Sequence, residues 1–86
     1  MQRFPEITAR LKRASGHLIR VIEMIEQGRP CMDLAQQLHA VEKAIGNAKK
    51  QLIKDHINHC MEETSEAKPR EFKNLIKEFQ AVTKYL

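Results

Sequence analysis

Apolar residues recur along this chain in alternating steps of four and three. One set runs Ile7, Leu11, Ala14, Leu18, Val21 or Ile22, and Ile25; a second runs Leu34, Leu38, Val41, Ile45, Ala48 and Leu52. Such spacing lays a single apolar stripe along a helix. A third set, Phe72, Leu75, Ile76, Phe79, Val82 and Leu86, repeats the pattern near the C-terminus. Punctuation supplies the bounds. Pro5 suits a first helical turn, and Glu6 beside it complements the positive end of the helix dipole. Gly28 closes that helix and Pro30 prevents its continuation, so the first helix is expected over about residues 5–27. The connection Gly28-Arg29-Pro30 is short enough to make an antiparallel hairpin with a second helix over about residues 31–63. The polar stretch Glu62 to Lys68 reads as a linker, and Pro69 opens a third helix over about residues 69–86.

With no alternating strand pattern anywhere, the chain reads as all-α: one domain of 86 residues and three helices. The second stripe is longer than the first helix can cover. Three helices of this size do not bury all their apolar surface alone, which predicts self-association. Two long helices lying antiparallel about a two-fold axis would cross near Gly46-Asn47. Ser15-Gly16 interrupts good helix formers at a propensity cost and permits close approach of another helix or of a phosphate backbone.

Charge changes the picture next. The net charge is +4 and the pI about 9.3, which favours an acidic partner, nucleic acid ahead of a membrane surface. Arg10, Lys12, Arg13 and Arg20 place four positive charges on the first helix with no acid among them, and Lys43, Lys49, Lys50 and Lys54 add a second group. A charge run is usually a solvated face. Here it lies off the apolar stripe and would recur on every copy, a surface suited to tracking duplex phosphates. No membrane-spanning run or signal-peptide pattern is present, so a cytoplasmic setting is expected, with both cysteines as thiols. No glycine-rich phosphate loop, nucleophile elbow or HExxH motif occurs, and the expectation is of neither an enzyme nor a small-molecule substrate.

Two cysteines and a histidine carry the remaining chemistry. Cys31 opens the second helix; His56 and Cys60 stand one turn apart near its end. Taken singly, the cysteines read as small buried hydrophobes and His56 as an ordinary polar residue. Cys31 precedes His56 by 25 residues, roughly 38 Å of straight helix. One helix cannot bring them together, but two antiparallel copies place the start of one beside the end of the other, twice per dimer. Two thiolates and an imidazole suit a soft ion, Cu(I) above all, whereas Zn(II) wants a fourth ligand. His59 projects about 100° from Cys60 and is a weaker candidate ligand. His17 and His39 have no partner at ligand spacing and read as solvated or hydrogen-bonded.

The stretches RLKRASGHL, AQQLHAVEKAIGNAKKQL and HINHC, with Cys31 at the head of the long helix, resemble the CsoR/RcnR family of bacterial repressors over nearly the whole chain. The resemblance implies an antiparallel helical dimer, a flat dimer-of-dimers tetramer, and operator DNA bound by the unliganded protein and released by an inducer. Cys31, His56 and Cys60 match the copper-sensing branch of that family. Its nickel and cobalt branch has a histidine in place of Cys60, and its persulfide-sensing branch keeps two cysteines without the histidine. Ni(II), Co(II), Zn(II) and cysteine persulfidation are thus the alternatives to Cu(I). Arg10, Arg13, Lys49 and Lys50 fall in the regions the family uses for DNA. Copper sensors of the family often carry a tyrosine just before the first cysteine and a glutamate early in the third helix, where this sequence has Pro30 and Asn74.

Overall fold

The computed structural model describes residues 4–64 and 68–86, with the side chains of Cys60, Glu63 and Thr64 left out. Among the described residues there are three α-helices and no strand: α1 (Pro5–Glu26), α2 (Cys31–Thr64) and α3 (Pro69–Val82), the last followed by a 3₁₀ turn over Thr83–Tyr85. The all-helical, three-helix reading of the sequence stands. Two boundaries differ. Helix α2 ends at Thr64, one residue past its expected end and within the stretch also read as a linker, while positions 65–67 of that stretch lie outside the described residues. Helix α3 stops at Val82 rather than at the C-terminus. There the Thr83 hydroxyl donates to the Gln80 carbonyl at 2.7 Å, a side-chain bond that competes with the helical ladder.

Each start is explained locally. Prolines 5 and 69 open α1 and α3, where a missing N–H is no loss. The Lys68 amide donates to the Glu71 carboxylate at 3.3 Å, satisfying a backbone group just ahead of α3. The end of α1 is a Schellman turn. The Gly28 amide donates to the Ile25 carbonyl (3.0 Å) and the Arg29 amide to the Met24 carbonyl (3.1 Å), with Gly28 at φ +73°. Only glycine adopts that conformation without cost.

The chain forms two compact units, one up to Lys49 and one from Lys50 onward. In the first, α1 lies antiparallel to the leading part of α2. His17 meets Gln37, while Arg10 and Arg13, earlier in α1, share a groove with Ala44 and Asn47, later in α2. Its interior is made of Ile7, Ala14 and Val21 from α1 with Val41 and Ala48 from α2. These are alternate members of the two sequence stripes, seven residues apart. The intervening members, Leu11, Leu18 and Ile25 on α1 and Leu38 and Ile45 on α2, remain between 40% and 54% exposed. Half of each stripe therefore serves the hairpin and half is left to solvent. In the second unit Ile53 is buried, Ile57, Leu75, Phe79 and Val82 are half-buried, and α3 buries no residue fully.

Candidate functional site

Between α1 and α2 of the first unit runs a groove of about 390 Å³, lined by Arg10, Arg13, Ala14, His17, Arg20, Ala44 and Asn47. Steps of three, four and three put Arg10, Arg13, His17 and Arg20 in one row, immediately beside the buried seam Ile7, Ala14 and Val21. The small side chains of Ala14 and Ala44 line it together with the three arginines. No acidic residue lines it. His17 is half-buried and is fixed across the helix pair by a 2.6 Å hydrogen bond between its Nε2 and Oε1 of Gln37. Three arginines and a hydrogen-bonding ring lining a groove with no acid among its lining residues have the chemistry to attract an anion.

Of the basic residues expected to meet DNA, Arg10, Arg13 and Arg20 fall in this groove. Lys12, Lys49 and Lys50 are exposed outside its lining. Two polar residues of the groove, His17 and Asn47, were not singled out by charge. Neither adds to the basic count, and only the pairing of α1 with α2 shows that they line the same trough.

The sulfur and imidazole donors lie along α2. Cys31 is its first residue and an exposed free thiol. His56 is half-buried and His59 exposed. Cys60 stands one turn beyond His56 on the same uninterrupted helix. Among the described residues of one copy, no group of three or more histidine, cysteine or acidic side chains could hold a metal ion. As a donor set, two thiols and an imidazole fit a soft, low-coordinate ion. Pro30, just before Cys31, uses its carbonyl to accept the Leu34 amide at 3.1 Å, and Asn74 is exposed on α3.

A profile of the family described as metal-sensitive transcriptional repressor matches residues 5–84. The chain belongs to this family. Among repressors with curated names, it is similar to the copper-sensing transcriptional repressor CsoR of Bacillus subtilis, 39% identical over 56 residues. It also resembles the CsoR of Mycobacterium ulcerans, 37% identical over 51 residues, and the copper-sensing repressor RicR of Mycobacterium tuberculosis, 33% identical over 52. The matched segments cover 65%, 59% and 60% of this chain and 55%, 44% and 54% of those relatives, so the likeness spans about half their length. No solved structure matches the chain. Among the described residues of this metal-sensitive repressor family member, no helix is long and apolar enough to cross a membrane.

Proposed function

We propose that this chain is a cytoplasmic, DNA-binding transcriptional repressor whose single domain assembles into antiparallel dimers and dimer-of-dimers tetramers. Its inducer is Cu(I), held by Cys31 of one copy with His56 and Cys60 of the neighbouring copy. The observation that carries this reading is the placement of Cys31 at the head of one continuous 34-residue helix, with His56 and Cys60 near its tail. Thiol and imidazole ligands separated by many helical turns in sequence would be united by a second copy running in the opposite sense. The half-exposed rungs Leu11, Leu18, Ile25, Leu38 and Ile45 support a second copy as the cover for that face. The copper-sensing names of three relatives support copper as the signal.

In this reading the unliganded assembly presents Arg10, Lys12, Arg13, Arg20, Lys49 and Lys50 to operator phosphates. The thiols of Cys31 and Cys60 lose their protons as they become ligands, and His56 binds through one neutral ring nitrogen. Cys31 of one copy with His56 and Cys60 of the next would hold Cu(I), which would supply soft-acid coordination to thiolate and imidazole. Residues that ligate together in this way would favour one arrangement of the long helices. If DNA favours the other, linkage requires each partner to weaken the binding of the other by the same factor. The thiols need a reducing compartment to remain ligands, which suits the cytoplasm. The protein has no catalytic role in this scheme.

The test is to titrate anaerobic, reduced protein bound to a duplex from its own upstream region with Cu(I), Ni(II), Co(II), Zn(II) and a polysulfide donor in parallel. Release by Cu(I) at about one ion per chain is expected. Release by another ion, or by none, overturns the copper assignment. The exposed Cys31 thiol favours a second reading, in which a polysulfide donor transfers sulfane sulfur to Cys31, the thiol of Cys60 of a neighbouring copy attacks the resulting persulfide, and the outer sulfur leaves as sulfide, so that the two cysteines are oxidised and the sulfane sulfur is reduced. Selective release by polysulfide would establish it.

A further inference from the structure

Arg10, Arg13 and Arg20 line the groove between α1 and α2 with no carboxylate paired to them among the described residues. The arginine that does form an ion pair there is Arg29, whose guanidinium lies 3.3 Å from the Asp33 carboxylate and outside the groove lining. Three unpaired guanidiniums from one helix, about 390 Å³ of space beside them and no acid in the lining are the parts of an anion site. Spacing restricts what fills it. Arg10 and Arg13 are about 4.5 Å apart along α1, and Arg20 stands about 15 Å beyond Arg10. A lone phosphate reaches one end of that row, whereas a chain of linked phosphates meets all of it. The space is at the lower end of small-molecule pockets, and a duplex enters it only with the backbone of one strand. Asn47 adds a neutral amide donor from α2, and the His17 ring is tied to α2 by its 2.6 Å hydrogen bond with Gln37.

We propose that this groove is an oligophosphate site, in which a free linear oligophosphate (a condensed phosphate, or the tail of a nucleoside triphosphate) binds across Arg10, Arg13 and Arg20 and competes with DNA for them. The direct binding stands on the groove alone; the competition rests on the DNA-binding reading above. A run of phosphates on one chain is what a DNA strand and a free oligophosphate have in common. The planar fork of each guanidinium takes two phosphate oxygens at once, so the same three side chains serve either ligand. Every lining residue belongs to the first compact unit, which makes the site complete within one hairpin. It uses none of Cys31, His56 and Cys60. Release of DNA by an oligophosphate is therefore a second control, exerted by occupancy of the phosphate-binding surface itself and indifferent to the state of the thiols.

The test has two arms, both on the full, reduced, metal-free chain at low salt. In the first, calorimetry follows sodium tripolyphosphate, or orthophosphate at matched ionic strength, titrated into the protein without DNA. Tripolyphosphate should bind saturably to a single class of site, and orthophosphate at least about tenfold more weakly. Arg10→Gln and Arg13→Gln should each weaken tripolyphosphate on the order of tenfold, the worth of one charge-assisted contact. Arg13→Lys, which keeps the charge and loses the fork, should fall between. Lys77→Gln removes the same charge from an exposed position on α3 and should bind like wild type. In the second arm, fluorescence anisotropy of a labelled duplex from the protein's own upstream region should show displacement by tripolyphosphate where orthophosphate of equal ionic strength leaves the duplex bound. Equal losses in Arg13→Gln and Lys77→Gln, or equal action of the two phosphates, would reduce the effect to ionic screening and overturn the site. A duplex that wild type holds and tripolyphosphate cannot displace would overturn the proposal while leaving the DNA reading intact. Saturable tripolyphosphate binding with no duplex bound would overturn the DNA reading and leave the site standing. All three arginines are exposed, so their substitution should cost the fold little, and circular dichroism checks that each variant stays helical.

Discussion

Ile45→Glu probes the apolar face left open on the hairpin. Ile45 is 46% exposed in the single chain, so the substitution should cost the hairpin itself little, within about 0.5 kcal/mol. Its effect falls on assembly. Five rungs, Leu11, Leu18, Ile25, Leu38 and Ile45, each retain about half of their apolar surface in water. Covering that half is worth about 1 kcal/mol per side chain, hence about 5 kcal/mol per copy and about 10 kcal/mol for a symmetric pair. Association itself costs about 4–15 kcal/mol, so the face is near balance and the loss of one rung is felt. A two-fold axis counts Ile45 twice, removing about 2 kcal/mol before any cost of burying a carboxylate, or at least about thirtyfold in dimer affinity. Sedimentation equilibrium at micromolar concentration reads this directly. Unchanged molar mass for the variant would refute the assignment of this face, as would a wild type that stays monomeric.

Three further outcomes follow from particular residues. Gly28→Ala should lower stability by about 1 kcal/mol, because the left-handed φ costs about 1–2 kcal/mol against a smaller unfolded-state gain. Beyond the adjoining residues, no described atom lies within 4 Å of the new methyl, and a thermal melt should show Tm lower by about 4–8 °C. Val21→Ala empties a position that is fully buried among the described residues and should cost about 2 kcal/mol in urea unfolding. His56→Ala separates the two inducer readings. It should abolish DNA release by Cu(I) in the anisotropy assay, while release through Cys31 and Cys60 by polysulfide, if that is the signal, should survive.

Helix positions were legible because each is bracketed by punctuation with a mechanism: Pro5, Gly28 with Pro30, and Pro69. The end of α3 was not, since the apolar spacing runs on to Leu86 while the Thr83 hydroxyl diverts the local hydrogen bonding. The stripes themselves were read correctly as helical seams, but a seam does not say which neighbour covers it. Ile7, Ala14 and Val21 turn inward and Leu11, Leu18 and Ile25 do not, a division fixed by the relative rotation of α1 and α2. The same rotation hid the full extent of the arginine row. His17 reads in the sequence as a solvated or hydrogen-bonded residue, and its partner Gln37 lies 20 residues away. Cys31, His56 and Cys60 stood out because thiol and imidazole are rare chemistry in so charged a chain.

The interior of the hairpin is thin. Two of its five buried members are alanines, and none is larger than isoleucine. Such a centre provides little free energy of its own, so in the proposed assembly the marginal term in staying folded comes from meeting another copy. Stability then becomes a function of abundance, with each tenfold dilution worth about 1.4 kcal/mol per pair. Scarce chains would open first and be cleared by proteolysis, giving the cell a floor below which the protein does not persist.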